Sequence, residues 1–334
     1  MNKTIIILII IIVLTTACEK QEVTPQWELQ LQSLVKVYPI GDIMSINEYK
    51  EVIFASGRDG IYKFSGNYFE EVLKGLNLSY VRKILGDEYL WISSDDGLYV
   101  YDGINIETFT TETSNILDNN TNYIYKDNLE RFWVGTWGGA VIFDKNLNII
   151  GNQTVKDGLL VENVSIVYQT HDNKMWLGSY AVRNGGISYG TLDNWKHFRL
   201  EDGLTHENIT SIVSTDEKLY IGSGLLDRGG LDIFDYIKGE WVYTETIDYE
   251  SGLLAGQKVR SLFLDGNYLW IGSEYDGMSI INIENRKSVK IKTSLPHPEI
   301  KSIYYQNGSL WLGTLDGIAY LDEEAIELIY QQIQ

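Results

Sequence analysis

The chain has 334 residues, 27 basic and 46 acidic, a formal net charge of −19 and a single cysteine. An acidic balance of this size argues against a nucleic-acid binder, which needs a basic face, and against a broad polybasic membrane surface. One cysteine leaves no partner for an intramolecular disulfide, so stability must come from burial, which about 300 residues can supply in one large domain.

Met1-Asn2-Lys3 is a short, positively charged start, and Ile5 to Leu14 is an unbroken apolar run. At about 1.5 Å per residue that run is too short to span a bilayer and has the length of a signal-peptide core. Thr15-Thr16-Ala17-Cys18 follows, with small residues before the only cysteine. This segment resembles a bacterial lipobox, although Thr15 stands where a large aliphatic residue is usual. Residues 1–17 then form a lipoprotein signal peptide, Cys18 is the lipidated residue, and 18–26 form the lipid-bearing cysteine and a polar tether. The alternative is an ordinary cleaved signal with an incidental cysteine. Several acyl chains on one residue anchor stably, whereas one does not. No later apolar run reaches membrane length.

From residue 27 to 334 the sequence repeats. An aromatic, an aliphatic and then Gly or Ser recur as Trp91-Ile92-Ser93, Trp133-Val134-Gly135, Trp176-Leu177-Gly178, Tyr220-Ile221-Gly222, Trp270-Ile271-Gly272 and Trp311-Leu312-Gly313, with Phe54-Ala55-Ser56 as a degenerate first copy. A strand precedes each aromatic, as in Ser211-Ile212-Val213. A turn follows, often Asp-Gly, as at Asp96-Gly97 and Asp316-Gly317, and then a third strand and a variable fourth segment such as 241–247. Four short strands per unit, seven times, at the period of a propeller blade, predict an all-β fold: a seven-bladed β-propeller of four-stranded antiparallel blades. Asp-Gly supplies the positive φ that tight hairpins need, and no single blade can bury both faces, so the ring must close. No stretch shows a sustained, capped helical period. Residues 27–32 alternate like a strand expected to pair at the seam and cover an edge. Blade seven reads as complete through 326–333.

The copies resemble the two-component regulator propeller repeat. Residues 125–136, ending Phe132-Trp133-Val134-Gly135-Thr136, and 308–314 follow its consensus closely, and its inter-blade Glu-Asp-Gly-Leu phrase stands at Glu201–Leu204. The resemblance covers residues 37 to 331. It implies an outer sensor domain that senses glycans or their breakdown products. The sequence here holds one ring and no kinase, so only the binding half of that role carries over.

In a propeller, the fourth-to-first connections and the second-to-third turns share one mouth. The turns hold Arg58, Trp137, Tyr180, Arg183, Arg228 and Tyr275, with the longest turns in blades four and five. Arginine forks to carboxylate or sulfate, and aromatic rings stack on sugar faces, so together they suit an acidic or neutral saccharide. The same arginines can instead bridge local aspartates, and Trp137 can pack between blades. His206 and His297 occupy one repeat position in connections of blades five and seven. They are either ligand contacts, with a metal or acid–base role conceivable, or plain loop histidines. His171 falls in a first-to-second turn and His197 on an outer strand. No dense Asp-x-Asp cluster, GxSxG elbow, P-loop or HExxH occurs. The expectation is therefore no metal, no cofactor and no catalytic residue, and a ligand-binding module for a glycan or other small ligand. A protein-interaction scaffold for an envelope partner is the alternative, with a polysaccharide lyase or glycosidase behind it.

Overall fold

The glycine that five of the seven repeats carry marks the point where neighbouring sheets touch. In the computed structural model, which describes residues 25–334 except 77, 182, 226 and 227, the aromatic–aliphatic–glycine unit lies on the second strand of its sheet. A Cβ on Gly178 would sit 2.6 Å from Ile209 Cβ, on Gly222 2.4 Å from Val259 Cγ1, and on Gly272 2.8 Å from Ile300 Cβ. The first strand of the next blade presses an Ile or Val onto the bare backbone, so no side chain fits there. The aromatic fills the rest of the junction: Trp91, Trp133, Trp176 and Trp270 are fully buried.

Blades one to six run continuously over 43–72, 83–109, 121–153, 164–198, 209–247 and 259–291, each a four-stranded antiparallel sheet in simple sequence order. Each first strand lies innermost, beside the first strands of its neighbours. Hydroxyls stitch these strands together: Ser165 Oγ donates to Ile209 O (2.8 Å), Ser261 Oγ to Ile300 O (2.8 Å), and Leu262 N–H donates to Ser211 Oγ (3.0 Å). Seven apolar clusters, one per junction, hold the core.

The inter-blade Glu-Asp-Gly-Leu phrase is a 3-10 turn, Leu200–Asp202, closed by Gly203 at φ 110°. The left-handed glycine lets Leu204 drop into the core. The same turn recurs at Val155–Asp157 and Tyr249–Ser251.

The seam differs from both sequence expectations. Residues 27–32 are not a strand but part of helix α1, Gln26–Leu34. Trp27, Leu31 and Leu34 also repeat at helical spacing, and the partners at hand favour that reading. Leu31 is fully buried, and the Glu28 carboxylate accepts hydrogen bonds from Lys292 N (3.0 Å), Thr293 N (2.9 Å) and Thr293 Oγ1 (2.9 Å). Blade seven does not end in a strand at 326–333. Asp322 caps helix α2, Glu323–Tyr330, by accepting from Ala325 N–H. Ala325, Ile326, Ile329 and Ile333 turn one face into the junction of blades six and seven, so a capped helical period is present after all. The fourth strand of blade seven comes from the other end of the chain: Lys36–Tyr38 pairs antiparallel with Gly317–Leu321. Blade seven is thus closed by residues that precede blade one. The expected signal peptide 1–17, the expected lipidation site Cys18 and the expected tether as far as residue 24 lie outside the described residues. Among the described residues no helix is long and apolar enough to cross a membrane.

Candidate functional site

The mouth is a continuous band of turns and connections that clasp one another across blades. In blades two, three and seven a Ser or Thr at the end of the second strand folds the second-to-third turn: Ser94 Oγ donates to Gly97 O, Thr136 Oγ1 to Gly139 O and Thr314 Oγ1 to Gly317 O. The blade-four turn rests on the next connection, with Ser179 Oγ donating to Glu207 O (2.9 Å) and Asn184 N–H to Glu207 Oε1 (2.8 Å). That connection holds the blade-five turn, with Asn208 Nδ2 donating to Gly224 O (2.7 Å).

Blade five departs from the pattern. Its second and third strands run on as a hairpin, pairing Ser223 with Gly230, Gly224 with Gly229 and Leu225 with Arg228. Ser223 is therefore consumed by the ladder instead of closing a turn, and its hydroxyl has no partner among the described residues. Gly224, at φ 151°, has Lys258 against it: a Cβ there would lie 2.6 Å from Lys258 Cγ. The 255–258 connection is pinned between this hairpin and the blade-six turn, since a Cβ on Gly256 would meet Ser273 Oγ at 2.4 Å.

The structure places the sequence candidates as follows. Trp137, Tyr180 and Tyr275 stand 45%, 47% and 65% exposed on the second-to-third turns of blades three, four and six. Trp137 does not pack between blades. Arg58 is exposed, reaches Asp42 Oδ2 at 3.7 Å and lies over the Tyr80 ring, so it does bridge a local aspartate. Arg82 covers the same ring and forks to Asp95 (2.7 and 2.9 Å). Arg183 and Arg228 are exposed. Arg228 and Lys258 lie close enough to His206 to disfavour its charged form.

The two matched histidines share one structural role. His206 Nδ1 accepts from Asn208 N–H (2.9 Å) and His297 Nδ1 from Glu299 N–H (3.0 Å), as Asp118 Oδ1 accepts from Asn120 N–H (2.8 Å) in blade three. An acceptor three residues before the first strand bends the chain into the blade. No group of three or more His, Cys, Asp or Glu side chains that could hold a metal occurs among the described residues. Burial, with Lys258 and Arg228 nearby and Glu207 opposing, holds the His206 pKa below its ordinary value. The unfolded chain therefore takes up the proton first on acidification, and stability is lost as pH falls below about 6.5. Denaturant midpoints should fall across that range, and less so in His206→Asn, which keeps a neutral acceptor.

Sequence reasoning missed the charged residues inside the mouth. Lys258, in contact with Glu274, is 7% exposed. Lys301 is buried between Asp42 and Glu299 (3.6 Å). Burial and the nearby Arg260 push the Lys258 ammonium down to about 8, with Glu299 opposing. Nothing in the repeat marks these positions, because they vary from blade to blade. Asp232, beneath the blade-five hairpin, is fully enclosed and hydrogen-bonded to Thr205 and Thr246. Burial pushes its pKa up, but no substrate can reach it. The opposite face, where no site was expected, carries clefts of about 470 Å³ between blades three and four and about 520 Å³ beside α2.

No protein-family model and no curated protein matches the chain. Solved structures do. The extracellular domain assigned to a hybrid two-component system of Bacteroides thetaiotaomicron superposes with a TM-score of 0.71 at 19% identity, over 87% of this chain and 42% of that one. The fold is that of the propeller in this extracellular domain. PorZ, a surface component of the type-IX secretion system of Porphyromonas gingivalis, gives a TM-score of 0.65 at 15% identity over 84% of this chain and 46% of its own. Virginiamycin B lyase of Staphylococcus aureus gives 0.68 at 11% identity over 86% and 98%. The chain spans less than half the length of the first two, and at these identities the likeness is one of fold.

Proposed function

We propose that this is an exported, lipid-anchored module of the cell envelope whose propeller mouth binds a glycan or other small ligand. The observation that carries it is the set of three exposed rings, Trp137, Tyr180 and Tyr275, raised on turns of one face with Arg183 and Arg228 on the turns of blades four and five. Rigid rings on short turns offer stacking area with little rotamer entropy to lose. Export and anchoring rest on the signal-like segment and Cys18. The likeness to extracellular sensor domains supports the binding role.

A glycan array with the detergent-solubilised chain tests it, beside Trp137→Ala/Tyr275→Ala and Arg183→Ala/Arg228→Ala. Each lost ring should weaken binding about fivefold, from roughly 1 kcal/mol of stacking. Loss on the arginine pair alone would place the ligand over blades four and five. Absence of binding to every glycan would sink the reading and favour a protein-interaction scaffold. Exposed Tyr68, Ile104 and Ile237, on third-to-fourth turns of the other face, speak for that second reading. A lyase or glycosidase has less support, since His206 commits Nδ1 to Asn208.

A further inference from the structure

We infer that the mouth ligand carries a carboxylate, received by Arg260 between Lys258 and Lys301; this rests on the mouth-binding reading above. The inner strands share one position, just before or at the ladder's register shift, where a side chain is re-aimed toward the mouth. Its polar occupants are Arg82, Asn122, Ser165, Thr210, Arg260 and Lys301. Five have clear partners. Arg82 forks to Asp95, Asn122 Nδ2 donates to Val164 O (2.8 Å), Ser165 Oγ to Ile209 O (2.8 Å) and Thr210 Oγ1 to Val259 O (2.7 Å), and Lys301 pairs with Asp42. Arg260 alone has no hydrogen bond or ion pair among the described residues. The carbonyl that its counterparts' pattern would assign to it, Ile300 O, is taken by Ser261 Oγ instead.

A guanidinium left over in this way stands between two fixed ammonium groups. Lys258 is held by Glu274 and wedged against Gly224, and Lys301 is held by Asp42 and Glu299. Buried cations cost several kcal/mol each unless paired, and both are paired, which leaves Arg260 as the open fork. A fork of this geometry matches a carboxylate with two parallel N–H···O bonds. With the exposed rings of Trp137, Tyr180 and Tyr275 on the same face, a carboxylate at Arg260 describes a uronic-acid saccharide.

The test is isothermal titration of the solubilised chain with a galacturonate trisaccharide and the matching neutral galactose trisaccharide. The acid should bind at least tenfold more tightly, and Arg260→Gln should remove that preference. Arg260→Lys, which keeps charge without the fork, should fall between. Thermal melts of each variant separate a folding defect from a binding one. Equal affinity for both sugars, no affinity for the acid, or acid preference kept by a folded Arg260→Gln variant would each overturn the inference. In those cases the Trp137→Ala/Tyr275→Ala array decides independently whether the mouth binds ligands at all.

Discussion

A chain beginning at residue 39 is expected to lose the cooperative unfolding transition of the full chain and to associate through its open edge. The residues removed do three separate jobs. Lys36–Tyr38 supplies the fourth strand of blade seven, so its loss bares the backbone of Gly317–Leu321. Tyr38 packs against Phe64 and Phe69 of blade one (5.5 and 5.4 Å) and Trp311 of blade seven (6.0 Å), joining first blade to last. Helix α1 seats Leu31 against α2 and buries Glu28 in three hydrogen bonds. Point variants divide the effect. Tyr38→Ala should cost about 3 kcal/mol, as large-to-small core changes do. Glu28→Ala should cost about 2 kcal/mol, because it removes the buried carboxylate that accepts from Lys292 N–H, Thr293 N–H and Thr293 Oγ1. Val37→Ala, on the exposed side of the same strand, should be nearly silent. Guanidinium unfolding followed by fluorescence and size exclusion gives the reading. A shortened chain that keeps the full-length midpoint would show that α2 alone closes the ring.

That seam is also where the sequence was hardest to read. Within the ring each element is over-determined: the buried aromatic, the bare glycine and the Asp-Gly turn recur, so errors in one copy are corrected by six others. The seam occurs once. Trp27, Leu31 and Leu34 fit a helix, while the alternation of residues 27–32 fits a strand, and only the presence of the 292–293 backbone and the Ser294 hydroxyl as partners for Glu28 decides between them. At the other end Asp322 and the apolar positions 325, 326, 329 and 333 form a capped helical signature that was open to view. The repeat grammar, which demands a fourth strand there, masked it. The mouth follows the same logic. Turn residues such as Trp137 and Tyr275 are visible as departures within a repeat. Lys258, Arg260 and Lys301 are ordinary residues whose meaning depends on which partner the neighbouring blade presents.

The glycine at five of the seven junctions makes the fold's most specific steric demand, and Gly178→Ala should destabilise the protein by about 2 kcal/mol, within the range for overpacked cores. The new methyl would lie 2.6 Å from both Ile166 Cγ2 and Ile209 Cβ. Ile209 Cβ is fixed by its own backbone, which is the inner strand of blade five, so relief requires blades four and five to move apart. Backbone strain plays no part, because Gly178 is absent from the positive-φ residues. Gly239→Ala provides the opposite control. It has φ 88° and nothing within 4 Å, so its cost of about 1 kcal/mol is conformational alone. Ser93, the same repeat position in blade two, already carries a Cβ, and Ser93→Gly should be tolerated with a loss of about 1 kcal/mol for the hydrogen bond to Lys83 O. If Gly178→Ala proved as mild as Ser93→Gly, the wedge of one blade's inner strand onto the next would not be what sets their spacing. If it behaves as expected, the larger Gly178→Leu should not close the ring at all, because one forced gap in a closed circle must be taken up by every other junction.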